Sequence, residues 1–122
     1  MKNILILDDD ETFVAMIKAA VDTARYTVVS AGNGEDGLKK IGDFKPDIIL
    51  LDIMMPKMNG IEFLKKLNET YGEGKTPVLI TSNISSLEQI SEGVSLGIRG
   101  YVVKSNESLQ SIINIIDKTL KN

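Results

Sequence analysis

At 122 residues, 43% of them apolar and 25% charged, the chain has the make-up of one folded domain able to bury about two-thirds of its unfolded surface. Its formal charge of −3 argues against a general nucleic-acid surface and against binding to anionic lipid. Cysteine and histidine are absent, which excludes disulfides, thiolate zinc sites, thiol catalysis and the commonest general base; no apolar run nears the ~20 residues of a bilayer span, so the cytoplasm is the default address.

Strand and helix signals then alternate five times along the chain. A strand is expected over 3–7, where Ile4-Leu5-Ile6-Leu7 runs into Asp8-Asp9-Asp10. Being apolar throughout rather than alternating, it fits a parallel strand covered on both faces. Phe13, Ile17, Ala20 and Ala24 follow at helical spacing. The second strand, 26–31, opens on Tyr26, read as an amphipathic surface residue, and Asn33 is placed to cap the second helix. Pro46 stands at the entrance of the third strand, 47–51, whose Ile48-Ile49-Leu50-Leu51 ends at Asp52. The loop from Asp52 to Gly60 turns into a helix carrying Ile61, Leu64 and Leu67; Tyr71 is read as a surface residue, and Gly72-Glu73-Gly74 as a flexible connection rather than a linker. Pro77 opens the fourth strand, 77–82, and Ser85 with Glu88 fits a capping box for the fourth helix. Gly97 and Gly100 bracket the turn into the last strand, 100–104, and Leu109, Ile112, Ile113, Ile116 and Leu120 mark the last helix. Leu96 and Ile115 read as lying off the buried stripes of their helices; together with Tyr101 they could form an apolar contact surface.

A (βα)5 alternation predicts an α/β, doubly wound parallel sheet with right-handed crossovers, one domain over 1–122. Ligands of such sheets bind beyond the carboxyl ends of the strands, where strand order reverses. With the flavodoxin-like order 2-1-3-4-5 the first and third strands are neighbours, and Asp8, Asp9 and Asp52 converge. Like charges that close resist joint ionisation unless a cation or a lysine neutralises them. One helix cap does not require three acids, and Asp10 alone suffices for that duty. An oxygen-only cluster suits Mg2+, which keeps several waters.

These features together resemble a response-regulator receiver domain, from Lys2 to about Leu120. The resemblance is carried by Asp8-Asp9 after an aliphatic strand and by D-x-x-x-P-x-x-x-G from Asp52 to Gly60. Ser82, 30 positions after Asp52, and Lys104, another 22 on, complete the set. It implies that Asp52 accepts a phosphoryl group from a sensor histidine kinase or a phosphotransfer protein. It further implies Asp9, Asp52 and the Met54 backbone carbonyl as Mg2+ ligands, Asp8 acting through water, and Mn2+ as a substitute. Lys104 would neutralise phosphoryl oxygens, Ser82 would bond one as a switch, and Tyr101 would swing between exposed and buried positions. Thr81 competes with Ser82, since alternation lets only one face the site; spacing favours Ser82. Met54 and Ile84, where the family tunes dephosphorylation, are apolar and cannot orient water, which implies slow hydrolysis with a lifetime nearer hours than seconds. One departure stands out: the family usually has proline after the lysine, often with a cis peptide, and this chain has Ser105. A cis bond before a non-proline residue costs about 2.5–4 kcal/mol, so the lysine either bears that cost or approaches on a different backbone.

Competing readings are a pseudo-receiver that docks on partners without phosphorylation, a flavodoxin-like cofactor protein and a metal-dependent hydrolase. The complete set of Asp8, Asp9, Asp52, Ser82 and Lys104 argues against the first. Three acids where a flavin protein needs a phosphate cradle argue against the second, and the lack of a second general base against the third. The chain stops soon after the last helix, so it is expected to be a stand-alone receiver or an excised domain that acts on an unknown downstream protein, not on nucleic acid or membrane. Weak homodimerisation is left open.

Overall fold

The computed structural model describes residues 1–83 and 87–121. Parallel strands β1 (Lys2–Leu7), β2 (Tyr26–Ala31), β3 (Ile48–Leu51), β4 (Val78–Ser82) and β5 (Gly100–Val103) form one sheet in the order β2-β1-β3-β4-β5. Helices α1 (Glu11–Ala20), α2 (Gly34–Phe44), α3 (Gly60–Tyr71) and α4 (Leu87–Ser95) connect them, and α5 (Leu109–Leu120) follows β5 after a 3-10 turn at Lys104–Asn106. The expected architecture is present, with each strand end within one residue of its sequence position.

The central strands are buried on both faces because their side chains alternate between two cores. Ile4, Ile6, Ile48 and Leu50 pack with Phe13, Ile17, Ile112 and Ile116 beneath α1 and α5. Leu5, Leu7, Ile49 and Leu51 pack with Ile41, Phe63, Leu64 and Leu67 beneath α2 and α3. Each such side chain contributes roughly 1.5–3 kcal/mol on burial, which fixes the register on which the site depends. Side-chain caps set where the helices start. Asn33 Oδ1 accepts from Asp36 N at 2.9 Å for α2, as expected, and Asn59 forms a capping box with Glu62 for α3. Ser85, the expected cap of α4, lies outside the described residues.

Three readings of the local pattern are corrected. Tyr26 is buried: its hydroxyl donates to Asp117 Oδ1 on α5, with the Arg25 guanidinium 5.2 Å from its ring centre. A tyrosine can bury its ring when a polar partner meets its hydroxyl, and here that partner comes from the far end of the chain. The inner stripe of α1 is Phe13, Val14, Ile17 and then Val21, while Ala20 and Ala24 are exposed. Bulkier side chains bury more area, so they take the inner face. Leu96 and Ile115 are half-buried and pack on opposite faces of the sheet, Leu96 against the α2/α3 core and Ile115 against the α1/α5 core. Leu96 also packs beside Tyr101 against Ile53, Ile61 and Ile80, whereas Ile115 lies with the α1/α5 core, so the three do not lie together. Tyr71 is exposed, as read from the sequence.

Candidate functional site

Asp8 and Asp52 are level with each other because Leu7 pairs with Leu51 at the ends of β1 and β3. The ladder runs one residue further: Asp8 N donates to Ala31 O at 3.0 Å and Asp52 N to Leu7 O at 2.9 Å. Both carboxylates thereby leave the sheet at its carboxyl edge with fixed backbones. Asp10 turns away to cap α1, its Oδ1 accepting from Thr12 N at 3.1 Å and Phe13 N at 3.2 Å. The three consecutive acids thus divide: Asp8 is buried, Asp9 faces solvent and Asp10 caps.

The loop after Asp52 folds back tightly. A Cβ on Gly60 would stand 2.5 Å from the Asp52 carbonyl oxygen and 2.7 Å from Ile53 Cα, so only glycine allows α3 to start against this backbone. Gly60 N donates to Ile53 O at 2.9 Å, and Met54 N donates to Asp52 Oδ1 at 3.2 Å. Lys57, inside the loop, adopts a left-handed conformation with φ of 66°. That geometry costs a non-glycine residue about 1–2 kcal/mol, the strain of bending the chain around the carboxylate.

Asp8, Asp9 and Asp52 each offer a carboxylate oxygen within 4.8 Å of the other two. In an octahedral ion with ligands at ~2.1 Å, adjacent ligands are about 3.0 Å apart and opposite ones about 4.2 Å. The three carboxylates therefore surround a space in which a Mg2+-sized cation would be held directly by some and through water by another. With oxygen donors only and no histidine or cysteine, the donor set fits a hard cation. On the inner side of the cluster Lys104 Nζ lies 2.5 Å from Asp8 Oδ2 and 3.7 Å from Asp52 Oδ2, its side chain only 10% exposed. Burial pushes the Asp8 carboxyl up to about 6, against the opposing pull of Lys104 and of the Asp10 amide. Desolvation therefore outweighs the ion pair at this carboxylate.

Lys104 is delivered on a trans backbone; among the described residues no peptide bond is cis. The 3-10 turn that opens with Lys104 replaces the expected last strand residue, and Ser105 N donates to Asn83 Oδ1 at 3.1 Å. A proline could not make that bond. Phe13 lies on the other side, its ring centre 4.4 Å from Lys104 Nζ. The sequence pattern explained Phe13 as core and gave no sign of this contact; its only local signal is an aromatic five positions after Asp8.

Ser82 and Thr81 end β4, both buried. Thr81 pairs with Val102, whose side chain lies in the α1/α5 core, and its hydroxyl finds no hydrogen-bond partner among the described residues. Tyr101 is half-buried against Ile53, Ile61 and Ile80. Burial, and secondly the Asp52 carboxylate, raise its hydroxyl above the ordinary tyrosine range. Outside the acids a cavity of about 520 Å³ is lined by Asp9, Met54, Met55, Pro56 and Asn59, with Met54 60% exposed. Ile84, the other expected tuning position, lies outside the described residues.

Residues 4–117 match the response regulator receiver domain family. The chain belongs to that family. It is 36% identical to the alkaline phosphatase synthesis transcriptional regulatory protein PhoP of Bacillus subtilis over 104 residues, 84% of this chain and 42% of that protein. It is 37% identical to the transcriptional regulatory protein CpxR of Escherichia coli over 105 residues, 85% of this chain and 43% of that protein. The chain thus spans about half the length of such curated relatives, or less. Among solved structures, the chemotaxis protein CheY4 of Vibrio cholerae superposes with a TM-score of 0.87 at 28% identity, covering 98% of this chain and 99% of that one. A CheY-like receiver domain protein of Methanospirillum hungatei gives 0.89 at 26%, covering 99% and 94%. The five-stranded fold and the receiver membership expected from the motifs are both present. Among the described residues no helix is long and apolar enough to cross a membrane.

Proposed function

We propose that this receiver domain, residues 1–122 acting as one unit, is a phospho-accepting switch. Asp52 takes a phosphoryl group from a sensor histidine kinase or a histidine phosphotransfer protein. The observation that carries this reading is the convergence of Asp8, Asp9 and Asp52 within 4.8 Å beside the Lys104 ammonium. In the transfer an Asp52 carboxylate oxygen bonds to phosphorus as the phosphorus–nitrogen bond of the donor breaks and the imidazole leaves with that electron pair. Transfer of this kind asks the protein for positioning and charge neutralisation rather than covalent work. Lys104, 3.7 Å from Asp52, stands where it can follow the charge onto the phosphoryl oxygens. The loop held by Gly60 keeps Asp52 from turning away.

Asp9, Asp52 and the Met54 backbone carbonyl would hold Mg2+, or Mn2+ in its place, with Asp8 joined through water. The bound ion would supply further positive charge to the phosphoryl oxygens. Ser82 would accept the role of switch, its hydroxyl donating to a phosphoryl oxygen and drawing the following loop inward, with Tyr101 following. A hydrogen bond to a charged group contributes about 1.5–3 kcal/mol, enough to shift a two-state equilibrium roughly ten- to a hundred-fold. The exposed apolar side chain of Met54 cannot orient a water, which supports a slow loss of phosphate. The output is a changed protein surface read by a downstream protein in the cytoplasm.

Incubation with acetyl phosphate and Mg2+ followed by intact mass tests the reading. One phosphoryl group is expected on the wild type and none on Asp52→Asn. A wild type that gains no phosphate and binds no beryllofluoride would leave a docking module that works without phosphorylation.

A further inference from the structure

Phe13 stands on the first turn of α1, 8% exposed, where the apolar pattern of the helix already accounts for it. Its ring nevertheless does more than fill the core, because it closes a circuit of contacts around the site. Asp8 Oδ1 accepts from Asp10 N at 2.9 Å, and Asp10 Oδ1 accepts from Phe13 N at 3.2 Å. The Phe13 ring centre lies 4.4 Å from Lys104 Nζ, and Lys104 returns to Asp8 Oδ2 at 2.5 Å. The cap thereby ties the backbone of Phe13 to the strand end that carries Asp8, and the α1/α5 core holds the ring in place.

We propose that Phe13 is a positioning residue for Lys104, its ring keeping the ammonium beside Asp52 once a divalent cation has claimed the carboxylates. This rests on the phospho-acceptor reading above. The physical basis is a difference between the partners of Lys104. Asp8 and Asp52 are ionic partners that a cation among Asp8, Asp9 and Asp52 would share, and that cation would also repel the lysine. An aromatic ring attracts a cation through its quadrupole, carries no net charge and is not consumed by the metal. With an aliphatic residue at this position, the flexible four-carbon stem of Lys104 would let the ammonium retreat to solvent on metal binding. Two consequences of opposite sign follow. Keeping Lys104 close weakens binding of the metal slightly, and it strengthens binding of the phosphoryl group.

The test compares the full chain with Phe13→Leu, which keeps apolar bulk without the π face, and Phe13→Tyr, which keeps the face. Mg2+ affinity, beryllofluoride affinity at saturating Mg2+ and the NMR shift of the Lys104 ε-methylene protons are measured for each. Phe13→Leu is expected to weaken beryllofluoride binding about ten-fold while Mg2+ binding tightens roughly two-fold. The upfield ring-current shift of the methylene protons disappears in Phe13→Leu and returns in Phe13→Tyr. In a Lys104→Met background Phe13→Leu leaves Mg2+ affinity unchanged. A Phe13→Leu protein in which both affinities fall together, as in a merely loosened fold, overturns the proposal, as does the same change in Mg2+ affinity without Lys104. A wild type that binds Mg2+ but no beryllofluoride would sink the phospho-acceptor reading instead, with the Mg2+ response and the methylene shift still judging Phe13.

Discussion

The site has two halves that share one pair of strand ends and differ in almost every physical respect. On the inner side Asp8 and Phe13 are buried and the Lys104 side chain is 10% exposed, charge faces charge at 2.5 Å, and the backbone is held by ladder and cap. On the outer side Asp9 is exposed across an open cavity from Met54, Pro56 and Asn59, whose loop is strained at Lys57. The inner half resembles an interior ion pair, for which losing one partner is expensive. The outer half resembles a surface, where a carboxylate is solvated whatever its neighbours do. The division suits the proposed function, in which a positive charge stays in place while a cation and a phosphodonor enter.

Removing one charge from each half gives the largest contrast. Lys104→Met strands the Asp8 carboxylate in the interior and is expected to cost about 3 kcal/mol of unfolding free energy at pH 8 without metal. Asp9→Asn should change stability by less than about 0.5 kcal/mol, because it relieves like-charge repulsion at an exposed position. Denaturant unfolding of both variants decides; equal losses would erase the distinction between the halves.

The pH dependence sharpens it further. The Asp8 carboxyl titrates near 6 in the folded protein against an ordinary value of 3.8, so the folded state binds the extra proton between those values. The stability this gives is complete below the lower value and is lost as pH rises through about 6, at up to roughly 1.4 kcal/mol per pH unit. Urea midpoints between pH 4 and 7 in the absence of divalent cations should show the fall. Asp8→Asn should flatten it and Asp9→Asn should not.

Smaller effects probe the edges of each half. Thr81→Val removes a buried hydroxyl that has no partner among the described residues and is expected to stabilise the fold by about 1 kcal/mol in thermal or denaturant unfolding. Lys57→Gly relieves the left-handed strain of the outer loop but gives the unfolded chain more freedom, for a net gain of about 0.5 kcal/mol. A loss on Lys57→Gly would mean that the lysine side chain, not the backbone bend, matters there.

Much of this molecule was legible in its sequence, for a reason visible in the strands themselves. Ile4–Leu7 and Ile48–Leu51 are apolar on both faces, as strands of a covered parallel sheet are, and each run stops at an acid. Element order follows from that pattern, and the handedness of crossovers narrows the topology without choosing between doubly wound strand orders. The meeting of Asp8, Asp9 and Asp52 is expected only given the order 2-1-3-4-5, which the sheet has. Gly60 belongs to the motif that opens at Asp52, and the clash a Cβ would make there is the reason. What local pattern could not decide were relations between distant segments. The burial of Tyr26 depends on Asp117, the approach of Lys104 on Asn83, and the second duty of Phe13 on a lysine in the turn after β5. Periodicity reports which side of an element is apolar, whereas the partner that meets a polar tip or a ring face is set only when the sheet brings remote strand ends together.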